Sequence, residues 1–196
     1  LNTVSKGISG TVGEGKRLEA IKIELKDSTY SGGVTYRTHV QKEGWQSFVS
    51  DGNISGTEGQ AKRLEAIQIK LTGEIAVHYD VYYRVHAQTY GWLGWAKNGE
   101  SAGTAGLGKR LEAIEIVLVK KNNSPPESTN QAFIANPTVN YSTHVQSKGW
   151  LNSVSNGEVS GTVGEGKRLE AIKINLDKSP YSGGIKYSTH VEKLGW

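Results

Sequence analysis

The sequence predicts an all-β repeat domain, and three observations carry that expectation. The block RLEAI occurs four times without change, as Arg17–Ile21, Arg63–Ile67, Arg110–Ile114 and Arg168–Ile172. Apolar and polar residues alternate with the period of two that marks half-buried strands. Glycine accounts for 25 of 196 residues, which suits many tight turns, and no stretch holds a helical period.

Self-similarity at a fixed spacing is read first, because it decides the architecture. Three of the four RLEAI blocks follow a Gly-Trp pair, at Trp45, Trp92 and Trp150, and a fourth pair ends at Trp196. A His-Val or His-Ala pair precedes each tryptophan, at His39, His86, His144 and His190. The spacing gives a repeat of 46–47 residues. One gap is about a dozen residues longer, an insertion over Val119–Thr138. Its Pro125-Pro126 pair cannot sit in a central strand, so it reads as a surface excursion.

In chain order, Leu1–Val4 matches Leu151–Val154 and is expected to complete a strand begun by Trp196. Ser5–Gly15 is a Gly/Ser-rich turn region. Arg17–Leu25 is a strand, with Ile21, Ile23 and Leu25 alternating with Lys22 and Glu24. Ser31-Gly32-Gly33 breaks the chain. Over Val34–Gln41, Val34, Tyr36, Thr38 and Val40 share one face. The same face returns as Val81, Tyr83, Val85 and Ala87, as Val139, Tyr141, Thr143 and Val145, and as Ile185, Tyr187, Thr189 and Val191. A short further strand is expected at Asn53–Thr57.

The head supplies what the tail lacks, so four whole repeats require the ends to meet. The expected fold is a pseudo-four-fold ring, propeller-like, closed by the N- and C-terminal strands; closure removes exposed sheet edges. The alternatives are a β-prism-like fold or a linear repeat stack. The expected organisation is a single repeat domain over 1–196, with repeats at approximately 187–196 plus 1–33, 34–80, 81–118 and 139–186, and an insertion loop at 119–138.

Composition narrows the function. There is no cysteine, which excludes disulfides and thiolate metal sites. No apolar run approaches the ~20 residues of a membrane span. A net charge of +4 from 23 basic and 19 acidic residues, usually interleaved, serves solubility and is not a nucleic-acid footprint. The chain has no methionine and reads as a processed one. Catalysis needs one asymmetric constellation, whereas the polar residues here recur four times. No enzyme activity, cofactor or metal site is expected. Each His is expected to hydrogen-bond within its own repeat. Glu19, Glu65, Glu112 and Glu170 fall in phase with core-facing isoleucines and must be paired there, with an Arg or His.

The recurring tryptophans read as packing residues between repeats. The aromatics outside the repeat pattern are the candidate ligand contacts: Trp95, Phe48, Tyr82 and Tyr90, with Trp92 beside Trp95. Flanked by Asn, Gln and Gly, they suit stacking against sugar rings.

The pattern Tyr-x-x-His-Val, Gly-Trp, Ser-Gly-Thr-x-Gly and Lys-Arg-Leu-Glu-Ala-Ile resembles the clostridial hydrophobic-W (ChW) repeat. The resemblance covers nearly the whole chain outside Lys120–Pro137. It implies a secreted or surface module of a Gram-positive bacterium that binds a polymer or a host partner. Typical members carry Gly-Trp-x-x-Trp; here only Trp92 and Trp95 keep that pair, with Phe48 standing in after Trp45. The resulting expectation is non-catalytic, multivalent recognition of a cell-wall or host glycan. The alternatives are a protein-binding adhesin and a strand-exchanged assembly unit.

Overall fold

The computed structural model describes residues 7–127, 130–177 and 184–196. Among these residues the chain is all-β apart from a single helical turn, Ile75–His78. It divides into two compact units, Leu1–Ile134 and Ala135–Trp196, and the division falls within the insertion.

The same hairpin is built three times. A tyrosine strand (Gly33–Val40, Tyr79–Ala87 or Thr138–Val145) pairs antiparallel with the RLEAI strand that follows it (Leu64–Thr72, Leu111–Lys120 or Leu169–Asp177). Register is the same each time: Tyr36 faces Ile69, Tyr83 faces Ile116, and Tyr141 faces Ile174. A bulge after the histidine shifts the last pair in every copy, which lets both Leu64 and Glu65 point inward. The Gly-Trp pair turns back onto the end of the tyrosine strand, His39 opposite Trp45 and His86 opposite Trp92. A glycine with positive φ, Gly44 or Gly91, makes that turn.

The alternation read from the sequence is the burial observed in the first compact unit. Val34, Tyr36, Thr38 and Val40 are buried, as are Val81, Tyr83, Val85 and Ala87. They join Leu64, Ile67, Ile69, Leu111 and Ile114 in one core, against which Leu18, Ile21, Ile23 and Leu25 pack half-buried. The tyrosine hydroxyls are satisfied inside it: Tyr36 donates to the Asn53 carbonyl and Tyr83 to the Glu100 carbonyl. Burial pushes the Tyr83 hydroxyl pKa up to about 12. In the second compact unit only Thr143 and Val145 of the matching face are buried.

Repeats are joined by short Ser-Gly-Thr strands, Ala-Gly-Thr in the third copy (Ala102–Thr104). Ser55–Gly56 pairs with Ala20–Ile21 of the preceding repeat, and Ala102–Gly103 pairs with Ala66–Ile67. The first such strand, Ile8–Gly10, pairs with Ala113–Glu115. Second on first, third on second and first on third make a cycle of three. The Leu18 N–H donates to the Leu111 carbonyl at 2.8 Å, and the Leu64 N–H to the Leu18 carbonyl at 2.8 Å.

The expected closure ran through the fourth repeat. Its strand at Leu1–Val4 lies outside the described residues. The pairing that is described takes Ser9-Gly10-Thr11 to the third RLEAI block, at Arg110–Ile114, and not to the fourth. The physical reason is that any RLEAI strand presents the same edge. Gly161, the matching glycine of the last copy, has no atom near its missing Cβ.

Candidate functional site

Each Gly-Trp pair is the base of a recurring cluster. The RLEAI strand carries Arg and Glu two residues apart, on the same side, so the guanidinium reaches the carboxylate. Arg63 Nη2 lies 2.9 Å from Glu65, and Arg110 Nη2 lies 2.8 Å from Glu112. The histidine opposite brings its ring to the other carboxylate oxygen, at 3.2 Å for His39 and 3.0 Å for His86. Glu65 and Glu112 are each 5% exposed, so these charges are paired as burial requires. In the second compact unit the same cluster forms with Arg168, Glu170 and His144, but more openly. Arg17 pairs with Glu19 at 2.6 Å.

The imidazole ring is then the stop against which tryptophan stands. His39 and Trp45, His86 and Trp92, His144 and Trp150, and His190 and Trp196 are all edge-to-face, with ring centroids 5.4–5.6 Å apart. The tryptophans were expected as packing between repeats. None belongs to the buried core; each is held at the surface by the histidine of its own repeat.

Burial holds the His39 imidazole below its ordinary range, against the opposing pull of the Glu65 carboxylate. A group whose folded pKa is lowered stabilises the fold above its unfolded pKa, and that stability is lost as pH falls. The melting temperature is therefore expected to drop on acidification below about pH 6.5. His39→Gln should flatten that drop; an identical pH profile in the variant would place the titration elsewhere.

The sequence-predicted ligand residues fall into two groups. Trp95 and Phe48 each have a cation stacked over the ring. The Arg84 guanidinium lies between Trp92 and Trp95, 4.9 and 4.8 Å from their ring centres, and is fixed by Glu115 at 2.7 Å. Arg37 lies likewise between Trp45 and Phe48, at 5.0 and 4.6 Å, and Lys70 also reaches the Phe48 ring. Tyr82 stands 5.5 Å from the Lys97 ammonium. The alternation along the tyrosine strand puts Arg37 and Arg84 on the outer face, which was the available signal for this stacking.

Tyr90 and Trp92 form the second group. They line a shallow hollow of about 230 Å³ with Leu93, Asn130, Gln131 and Ile134. Tyr90 is exposed. The insertion folds back here: the Gly94 N–H donates to the Gln131 carbonyl and the Gly103 N–H to the Ala132 carbonyl, both at 2.9 Å. Asn130 and Gln131 were not predicted as site residues, because an insertion has no repeat partner to align with. A second, polar hollow of about 440 Å³ lies in the other compact unit, between Asn140, Ser142, Ser153, Lys173 and Asp177. Among the described residues no three His, Asp or Glu side chains gather as metal ligands would.

The family model for clostridial hydrophobic W matches the chain four times, at residues 4–27, 39–73, 86–120 and 144–178. The chain belongs to the ChW family. Three of the matches open at the histidine and close at the end of the RLEAI strand, so the ChW motif is the cluster described above together with its Ser-Gly-Thr joint. The match at 4–27 holds only the second half of a ChW repeat. No curated protein and no solved structure matches this ChW chain.

Proposed function

We propose that the protein is a non-catalytic binding module for a carbohydrate polymer, a cell-wall or host glycan, acting outside a Gram-positive cell. The observation that carries this reading is the hollow at Tyr90 and Trp92. Two aromatic rings stand at the surface there beside the amide side chains of Asn130 and Gln131. Sugar rings use that combination, stacking C–H groups on π faces while hydroxyls bond to amides. Trp95 supports the site from behind, through Arg84 and Trp92. The other Gly-Trp clusters would add weak sites, and several weak contacts on one polymer multiply. The cycle of three Ser-Gly-Thr pairings further supports a closed ring of three repeats as the scaffold, in place of the four-fold propeller.

Sedimentation with isolated Gram-positive cell walls tests the reading. The wild-type chain is expected to pellet with the walls, and Tyr90→Ala to lose about tenfold in affinity, the share of one stacked ring. Trp95→Ala should lose less, and free wall oligosaccharide should compete. Wild-type protein that stays in the supernatant would sink the proposal.

A further inference from the structure

The hairpin of Thr138–Val145 and Leu169–Asp177 differs from the other two on its outer face. In the first hairpin Arg37 lies between Trp45 and Phe48 and donates to Gln68, directly opposite, at 2.7 Å. In the second, Arg84 lies between Trp92 and Trp95 and is held by Glu115, again directly opposite. Both repeats thus fill this place with their own side chains. At the matching positions the third has Ser142 for the arginine, Ser153 for the second ring and Lys173 for the residue opposite. Two serine side chains cannot fill the space of a guanidinium and an aromatic ring. A hollow of about 440 Å³ is left, a volume in the range that holds small ligands.

Strand alternation sets what lines it. Asn140 and Ser142 on one strand, and Lys173, Asn175 and Asp177 on the other, share the outer face. Ser142 is opposite Lys173, and Asn140 is opposite Asn175. Ser153 completes the lining. Asp177 accepts from both amides, Asn140 Nδ2 at 2.6 Å and Asn175 Nδ2 at 2.5 Å. With their N–H groups turned to the carboxylate, both amides keep a carbonyl oxygen for another donor. Lys173 is at the other end. Its ammonium lies 4.1 Å from the centre of the Trp150 ring and, among the described residues, has no carboxylate beside it. At ~3.4 Å per residue of strand, roughly 13 Å of chain separates Lys173 from Asp177.

We infer that this hollow is a binding subsite for a sugar acid, a pyranose carrying one carboxylate; the inference rests on the reading of the chain as a glycan binder. Sugar hydroxyls both donate and accept. Asp177 and the amide carbonyls take their protons, and the two serine hydroxyls can do either. The acid group goes to Lys173, the end away from Asp177. The sign of the charge decides against another small ligand that the repeats suggest. A guanidinium from outside, replacing the missing arginine, would meet the Lys173 ammonium already on Trp150 and would find no second ring to stack on. The hollow at Tyr90 and Trp92 has no charged lining. The two hollows therefore select different units of a polymer, a neutral ring at one and an acidic ring at the other. Lys173, Asn175 and Asp177 are exposed, so each contact is weak and gains by repetition along a polymer.

Nuclear magnetic resonance on the whole chain, labelled with nitrogen-15, tests this. The reporters are the side-chain amides of Asn140 and Asn175 and the indole N–H of Trp150. The probes are glucuronic acid and N-acetylmuramic acid, each beside its neutral counterpart, glucose and N-acetylglucosamine. At low salt an acid is expected to shift the reporters with a Kd about threefold to fivefold below that of its counterpart, the share of one exposed ion pair. Lys173→Gln should remove that preference and keep the neutral-sugar affinity. Ser142→Arg, Ser153→Trp and Lys173→Glu together rebuild the outer face of the second repeat, and should abolish the shifts with an unchanged melting temperature. Reporters that stay still with both acids would overturn the inference, as would equal affinity for acid and neutral sugar in the wild-type chain. Full binding by the triple variant would place the ligand elsewhere and overturn it too. The wall sedimentation reads the other hollow through Tyr90. Walls that pellet the protein while the reporters stay still sink the subsite alone; shifted reporters with no pelleting sink the wall reading alone.

Discussion

Gly103→Ala is expected to cost the fold about 3 kcal/mol or more. Gly103 lies in the Ala102-Gly103-Thr104 joint at φ +120°, a conformation that side chains rarely adopt. A Cβ there would stand 2.4 Å from the Glu65 carbonyl oxygen and 2.7 Å from the Ala66 Cα. Both are backbone atoms of a paired strand, so neither can rotate away. Gly10 and Gly56 make the same approach, to Glu112 and Glu19 at 2.3 Å each. Gly161→Ala is the control. Its φ is +138°, so it carries backbone strain of about 1–2 kcal/mol, but nothing stands near its Cβ. Urea unfolding of the two variants separates strain from close approach; equal losses would mean the joint is not as tight as the geometry states.

Glu65→Ala should be the next most costly change, about 3 kcal/mol, because it removes the carboxylate that satisfies Arg63 and leaves the guanidinium and His39 facing a void. The same substitution at Glu170, in an identical RLEAI block, should cost less than about 1 kcal/mol. There the side chains of Glu170 and Arg168 are 31% and 69% exposed, and water can replace what is lost. Thermal melts of the two variants test whether burial, and not the motif, sets the energy. Equal destabilisation would contradict that.

Much of this was legible in the residues. The two-residue period around Tyr36 and Tyr83 located the core strands and their inward face. The glutamate within each RLEAI block, forced inward by its neighbours, required a charged partner, and the Arg and His supply it. Two features were not legible, for physical reasons. Ser9–Ile23 and Ser160–Ile174 are the same fifteen residues, so no local preference decides which of them takes the edge at Arg110–Ile114. The cations stacked over Trp95 and Phe48 were the other, because Arg84 and Arg37 are separated in sequence from the rings they approach. A strand's outer face brings them together only once the Gly-Trp turn is in place.

The cycle of three pairings has a consequence for longer runs of such repeats. It sets a phase, as a triplet sets one in a coded message. Loss of three neighbouring repeats leaves every later joint with an equivalent partner, whereas loss of one moves each later repeat to a different place in its group.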